Sequence, residues 1–254
     1  MSSTVRRNVF LVFGAGLAVL LLWSFGGLPD FGHYAGPYGD ILNASSIPER
    51  QTTAVVSAIN FDYRGFDTLG EEFILFAAVV GVASLLRNLR GERDRRPDDD
   101  ARGRRVRDPS VAVGVLGLGL VGPTVLVGLY VVVHGHQTPG GGFQGGVVLA
   151  ATVVVMVAAG ARARLPADEP PLLAEITHGL GAAGLVLLGL AGLIFAGTFL
   201  STTWAGHGTP GALLSGGAIP LLNVATGLEV AGALAVILGE FLEQHMLAAE
   251  EPES

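Results

Sequence analysis

The sequence predicts an all-α integral membrane protein of about six transmembrane helices, with both termini in the cytoplasm. Three observations lead there. Half of the 254 residues are hydrophobic and only 15% are charged, too few to clothe a soluble domain of this size. Mean hydropathy is positive, at +0.55. The apolar residues gather in six runs, roughly 8–28, 68–87, 111–133, 146–163, 173–199 and 217–241. Each approaches the about 20 residues that a membrane crossing takes. The chain has no cysteine, which excludes disulfides, thiolate metal sites and thiol nucleophiles. The net charge of −7 is spread over tails and loops and argues against a nucleic-acid partner.

The first run follows Arg6 and Arg7 in the manner of a signal peptide. It is long for the apolar region of one, and no clean small-x-small cleavage site follows, so it reads as an uncleaved helix. All fifteen basic residues are arginine. Thirteen precede run one, follow run two or follow run four, and only Arg50 and Arg64 fall on the opposite side. By the positive-inside rule the segments 29–67, 134–145 and 200–216 face outward.

Within 29–67, the residues 48–60 predict a helix that starts at Pro48-Glu49. Its apolar stretch, 54–59, is too short to cross, so an interfacial or re-entrant helix is expected. After run two, residues 89–109 mix arginines with Asp98, Asp99 and Asp100 around Pro97 and Gly103, the composition of a solvated cytoplasmic linker. This linker divides a two-span front part, 1–88, from a four-span rear part, 110–245. An acidic tail follows at 246–254.

Runs three and four are joined by a glycine-rich turn that begins His134-Gly135-His136-Gln137-Thr138 and continues Pro139, Gly140, Gly141, Gly142, Phe143, Gln144, Gly145, Gly146. Such glycines permit positive φ and close backbone approach. No strand precedes and no lysine follows, so a phosphate loop is excluded. Gly142, Gly146 and Ala150 form a small-xxx-small stripe that admits a neighbouring helix. The turn is echoed 71 residues later, where Gly206-His207-Gly208-Thr209-Pro210-Gly211 repeats residues 135–140 and Gly216-Gly217 repeats Gly145-Gly146. Two duplicated helical hairpins would produce this echo. So would the ordinary preference of tight turns for glycine, proline and threonine.

His134, His136 and His207 lack the carboxylates that would make a metal cage, which favours hydrogen bonding within loops. Pro123 interrupts the hydrogen-bond ladder of run three. Glu175 and His178 stand three apart at the start of run five, a polar pair expected at the membrane interface. Glu229 lies mid-span and shares a broad helix face with Asn223 and Thr226. An intramembrane carboxyl is costly and functional by default. It serves either as a stop on a proton path or as a hydrogen-bond donor to a partner helix. At the start of run two, Asp67 and Glu71 are i,i+4 neighbours beside Thr68 and Glu72. These acids either complement the helix dipole or form a cation or proton entrance.

The turn at 139–146, with the stretch 223–232 in support, resembles the B subunit of Mrp-type multisubunit monovalent cation/proton antiporters, the MnhB family, over residues 111–241. Asp62, Arg64, Asp67, Thr68, Leu69, Gly70 and Glu71 match one by one the Asp-x-Arg…Asp-Thr-Leu-Gly-Glu motif of a second module. That module is similar to the MbhE-like small component of membrane-bound hydrogenases and to the C-terminal part of the A component of the antiporters, and covers about 28–88. The resemblance implies a fused accessory subunit that assembles with other antiporter subunits in the plasma membrane, surrounded by lipid, with Na+ and H+ carried at the level of the complex. It implies that Asp67 and Glu71 line a cation-side pathway. The large antiporter subunits carry lysine and glutamate channels, and a chain with no lysine does not contain that machinery. A membrane-arm subunit of an energy-converting hydrogenase and a non-transporting scaffold are the alternatives. No nucleophile–base pair, metal cage or cofactor cradle marks an enzyme with its own active site.

Overall fold

The most apolar stretches become the longest helices in the computed structural model, which describes residues 3–28, 32, 36–91, 109–161 and 172–249. Most of the arginine-rich linker and the last residues of the acidic tail lie outside the described residues. The chain divides into two units, Met1–Asp40 and Ile41–Ser254. In the first, α1 (Ser3–Gly26) is a 24-residue helix whose described side chains are exposed along its length.

α2 (Pro37–Arg50) occupies part of the segment expected to hold a helix from Pro48. Pro37, not Pro48, supplies the first residue, where a missing N–H costs nothing, and Asp40 sits in the first turn. Pro48 falls in the last turn, and Gln51, at a φ of 54°, ends the helix. A short helix, α3 (Val55–Ala58), then passes into a π-helical turn, Ile59–Tyr63, closed by the Arg64 amide donating to the Ile59 carbonyl at 2.8 Å.

The remaining elements are α4 (Gly65–Gly91), α5 (Val111–Val133), α6 (Gly142–Ala158), α7 (Leu172–Ala196), a 3-10 turn (Thr203–Ala205) and α8 (Ile219–Ala249). Five described helices, α1, α4, α5, α7 and α8, are long and apolar enough to cross a membrane. The sixth expected crossing, α6, has 17 residues. It begins at Gly142, four residues before its expected start, and spans about 25 Å against a hydrocarbon core of about 30 Å. α5 runs through Pro123 as one element, with the Thr124 hydroxyl donating to the Leu120 carbonyl at 2.8 Å.

α8 is the axis of the second unit: 56% of its crossing segment is buried, against 22% for α7 and 11% for α4 and α5. α4, α6 and α7 all pack on it, and α5 packs on α6. One core cluster joins Ala58 and Phe61 to Leu185, Ile219 and Leu222; a second joins Val79 to Ala174, Ala233 and Val236. The segments expected to share one side do meet. Ala54 N–H donates to the His136 carbonyl, the Ser57 hydroxyl to the Gly135 carbonyl, and the Thr202 hydroxyl to Asp62 Oδ2. This end of the bundle is therefore built from α3, the glycine-rich turn and the loop before α8.

Candidate functional site

The glycine-rich turn is shaped by its backbone. Gly140 and Gly141 take φ values of 130° and 142°, a region that side-chain-bearing residues avoid. The Gly142 amide opening α6 then donates to Asn223 Oδ1 of α8 at 2.8 Å, while Asn223 Nδ2 donates to the Ile219 carbonyl at 3.1 Å. Asn223 is fully buried, so both bonds are shielded from water. A methyl group at Gly142 would sit 2.3 Å from the Asn223 carbonyl oxygen, and one at Gly146 would sit 2.8 Å from Val230 Cβ. The small-residue stripe thus serves contact with α8 of the same chain, and Gly145 does the same against Val132 of α5. Pro139 is exposed.

Beneath this turn lies a polar cavity of about 190 Å³. Ser57, Asn60, Thr68, Glu71 and Glu72 line it from the front part, and Gly140, Gly141, Gly142, Phe143, Gln144, Asn223 and Thr226 from the rear. The π turn helps to form it: Asn60, within that turn, accepts a 2.7 Å hydrogen bond at its carbonyl from the Thr68 hydroxyl, which ties the turn to α4.

Glu72, on the cavity wall, meets a second buried acid, Glu229. Glu72 of α4 is 3% exposed and Glu229 of α8 is 1% exposed, and their carboxyl groups interact across the α4–α8 contact beside the Thr226 hydroxyl. None of the four carboxyl oxygens, nor the Thr226 hydroxyl, makes a hydrogen bond of normal geometry among the described residues. An intramembrane carboxylate costs about 2.5–3.5 kcal/mol on insertion scales. Two that face each other away from water also repel. A single proton or monovalent cation placed between them relieves both penalties.

The other expected residues divide. Glu71 lines the cavity and remains exposed. Asp67 does not reach it; it pairs with Arg64 on the surface, the two side chains 53% and 56% exposed. Asp62 accepts from Arg50 Nε at 2.5 Å and from the Thr202 hydroxyl, which fastens α2 and the loop before α8 to the π turn. Burial opposes the Arg50 charge, but Asp62 more than offsets it and raises the guanidinium above its usual value. Burial, then Glu49, which accepts from its hydroxyl at 3.0 Å, push the neighbouring Tyr63 phenol up to about 12. Among the described residues no group of three or more His, Asp or Glu side chains converges as a metal cage would.

The histidines also separate by environment. His134 stacks on Tyr130 with ring centroids 4.3 Å apart. His136 is fully buried, and burial lowers its imidazole below the ordinary value of 6.5. His178, expected at the interface, is 6% exposed and stacked on Phe76 of α4 at 5.0 Å. Sequence reasoning missed the burial of His178 and the cavity-lining roles of Ser57, Asn60 and Gln144. The shared face of Asn223, Thr226 and Glu229, the acids Glu71 and Glu72 beside Thr68, and the glycine-rich turn were the signals that led toward the site.

Residues 112–236 match the family described as a domain related to the MnhB subunit of Na+/H+ antiporter, and residues 7–99 match the MbhE family of MBH components. A chain of the membrane-bound sulfane sulfur reductase, an archaeal respiratory membrane complex, superposes with a TM-score of 0.67 at 31% identity, covering 94% of this chain and 98% of that one. The chain belongs to the MnhB family. An uncharacterised protein of Methanocaldococcus jannaschii is 33% identical over 195 residues, 70% of this chain and 73% of its relative. A probable K(+)/H(+) antiporter A/B protein of Rhizobium meliloti is 29% identical over 123 residues, 42% of this chain but 12% of that protein. A chain of the Mrp complex from a Dietzia species shares the fold, with a TM-score of 0.62 and 23% identity over 100% of this chain and 27% of that one. The chain is thus a multi-pass membrane protein, and the two solved chains it resembles each come from a complex. The cavity lies where the two family modules meet.

Proposed function

We propose that the chain is an accessory subunit of a multisubunit Na+/proton antiporter of the plasma membrane, with both termini cytoplasmic. It contributes to assembly of the complex and lends Glu72 and Glu229 to its ion path. The observation that carries this reading is a pair of buried carboxyls that meet each other, one of them, Glu72, on the wall of a polar cavity that both modules line. Helix packing alone does not call for two acids face to face in an apolar bundle. Glu71, on the cavity wall, is the entry group, and Asp67 contributes a surface charge. The test is Glu72→Gln and Glu229→Gln, each in the assembled complex, with sodium-dependent proton movement followed in everted membrane vesicles. Loss of about tenfold or more at normal complex abundance is expected. Wild-type rates in both variants would remove the site from the path.

A second reading is favoured by the match to the sulfane sulfur reductase complex, of whose chain this one covers 98%. There the same subunit would sit in the membrane arm of a redox-driven complex, its carboxyl pair serving an ion path coupled to electron transfer. Mild-detergent purification from the native membrane separates the two. Antiporter subunits without redox proteins support the first, and copurifying iron–sulfur subunits support the second.

A further inference from the structure

His178 stands apart from every role assigned so far, yet the packing of three helices converges on it. Its ring stacks on Phe76, one helical turn past Glu72 on α4, at 5.0 Å and 24°. A methyl group added at Gly232, three residues past Glu229 on α8, would meet the His178 amide at 2.4 Å. One at Gly181, a turn further along α7, would meet the Glu229 amide at 2.2 Å. Glycines therefore bring α7 and α8 together at the level of the carboxyl pair. They set the His178 ring beside the Glu229 backbone and against Phe76, four residues past Glu72 on α4. The residue is only 6% exposed, and neither ring nitrogen makes a hydrogen bond of normal geometry among the described residues. A histidine present only to fill space would leave two polar nitrogens in an apolar bundle, each at a cost of about 1–3 kcal/mol.

We propose that His178 is the proton acceptor that follows the Glu72–Glu229 pair, so that cavity, carboxyl pair and imidazole form one polar axis that carries protons rather than sodium. The inference rests on the ion-path reading of the pair. In the step, a carboxyl O–H bond of the pair breaks and an N–H bond forms on the imidazole. The imidazolium then faces the carboxylate that released the proton. The titratable groups around it are all acidic: Glu72 from α4, Glu229 from α8 and, one turn earlier on its own helix, Glu175. A water between the carboxyl pair and the ring would carry the proton across. An imidazole does not ligate an alkali cation in its protonated form, which is why the axis suits protons.

The test uses the assembled complex in everted vesicles and compares His178→Phe, Glu72→Gln, Glu229→Gln and the double variant His178→Phe/Glu229→Gln. Phenylalanine keeps the ring stacked on Phe76 and removes the titrating nitrogens. The expected result is that His178→Phe assembles normally and loses about tenfold in proton movement, and that the double variant is no worse than Glu229→Gln alone, because groups that act as one unit are not additive. If both glutamine variants are inactive while His178→Phe works at the wild-type rate, His178 is a packing residue and this inference falls, with the ion-path reading intact. A double variant whose loss is the product of the two single losses also overturns it. Wild-type rates in the glutamine variants remove both ideas. Should His178→Phe fail to assemble, His178→Gln, which can hydrogen-bond but not titrate, is judged by the same outcomes.

Discussion

Asn223 of α8 holds the first amide of α6, its Oδ1 2.8 Å from the Gly142 nitrogen. A side chain fully buried in one helix thereby caps another helix that opens on two glycines of positive φ. Asn223→Ala leaves that amide buried without an acceptor, which costs about 1–3 kcal/mol. A lower thermal unfolding midpoint of the purified complex is expected, and an unchanged midpoint would show that water replaces the amide side chain.

The same contact fixes a steric limit. Gly142→Ala would place Cβ 2.3 Å from the Asn223 carbonyl oxygen, a backbone atom that cannot swing aside. Overpacking of this kind costs about 1–3 kcal/mol or more, so the amount of complex in the membrane should fall. Gly119→Ala and Gly122→Ala, in α5, meet nothing within 4 Å and serve as controls. Their abundance should match wild type, since alanine also favours helix by about 1 kcal/mol over glycine.

Asp62 and Asp67 belong to one motif but differ in burial, their side chains 8% and 53% exposed. Asp62→Asn weakens a half-buried ion pair to Arg50 and the bond from Thr202, and hydrogen exchange over the loop containing Thr202 should quicken. Asp67→Asn breaks an exposed pair worth about 0.2–1 kcal/mol, and both exchange and transport should stay near wild type. A large transport defect in Asp67→Asn would return that residue to the ion path.

His136 gives the end of the bundle that carries the glycine-rich turn a pH dependence. Burial depresses its folded-state value below 6.5, so the fold prefers the neutral ring. Above 6.5 the imidazole is neutral both folded and unfolded, and its full stability is present. As pH falls below 6.5 the unfolded chain takes up the proton first, and stability is lost until the depressed folded value is passed. In a Trp23→Phe background, the fluorescence of Trp204 should report earlier unfolding at acidic pH, and His136→Gln should flatten that dependence.

The helices were legible because hydropathy over about 20 residues is a strong signal, and the ends of α5 coincide with the expected 111–133. α6 started early because glycines at 142 and 145–146, which read as turn, fit a helix packed against α8. α2 was displaced because its polar sequence carries no span signal, and Pro48 reads equally as a helix start or a last turn. Within the site, Glu229 was visible as a costly mid-span acid and Glu72 as one of the acids at the entering turn of run two. Their meeting was not, since they lie in different modules and no local pattern links α4 to α8. His178 was misplaced for a related reason: nearness to a helix end says nothing about the other helices that cover it.

The shared seam between α4 and α8 bears on how the protein is made. Each helix enters the bilayer carrying an acid, and until the two close on each other those acids face lipid. Closure removes both from the hydrocarbon at once, so the polar pair acts as a latch that a half-built protein lacks. A chain interrupted between the modules would leave two fragments, each with a conspicuous intramembrane carboxyl, and membrane quality control would have a chemical mark by which to recognise an unassembled half.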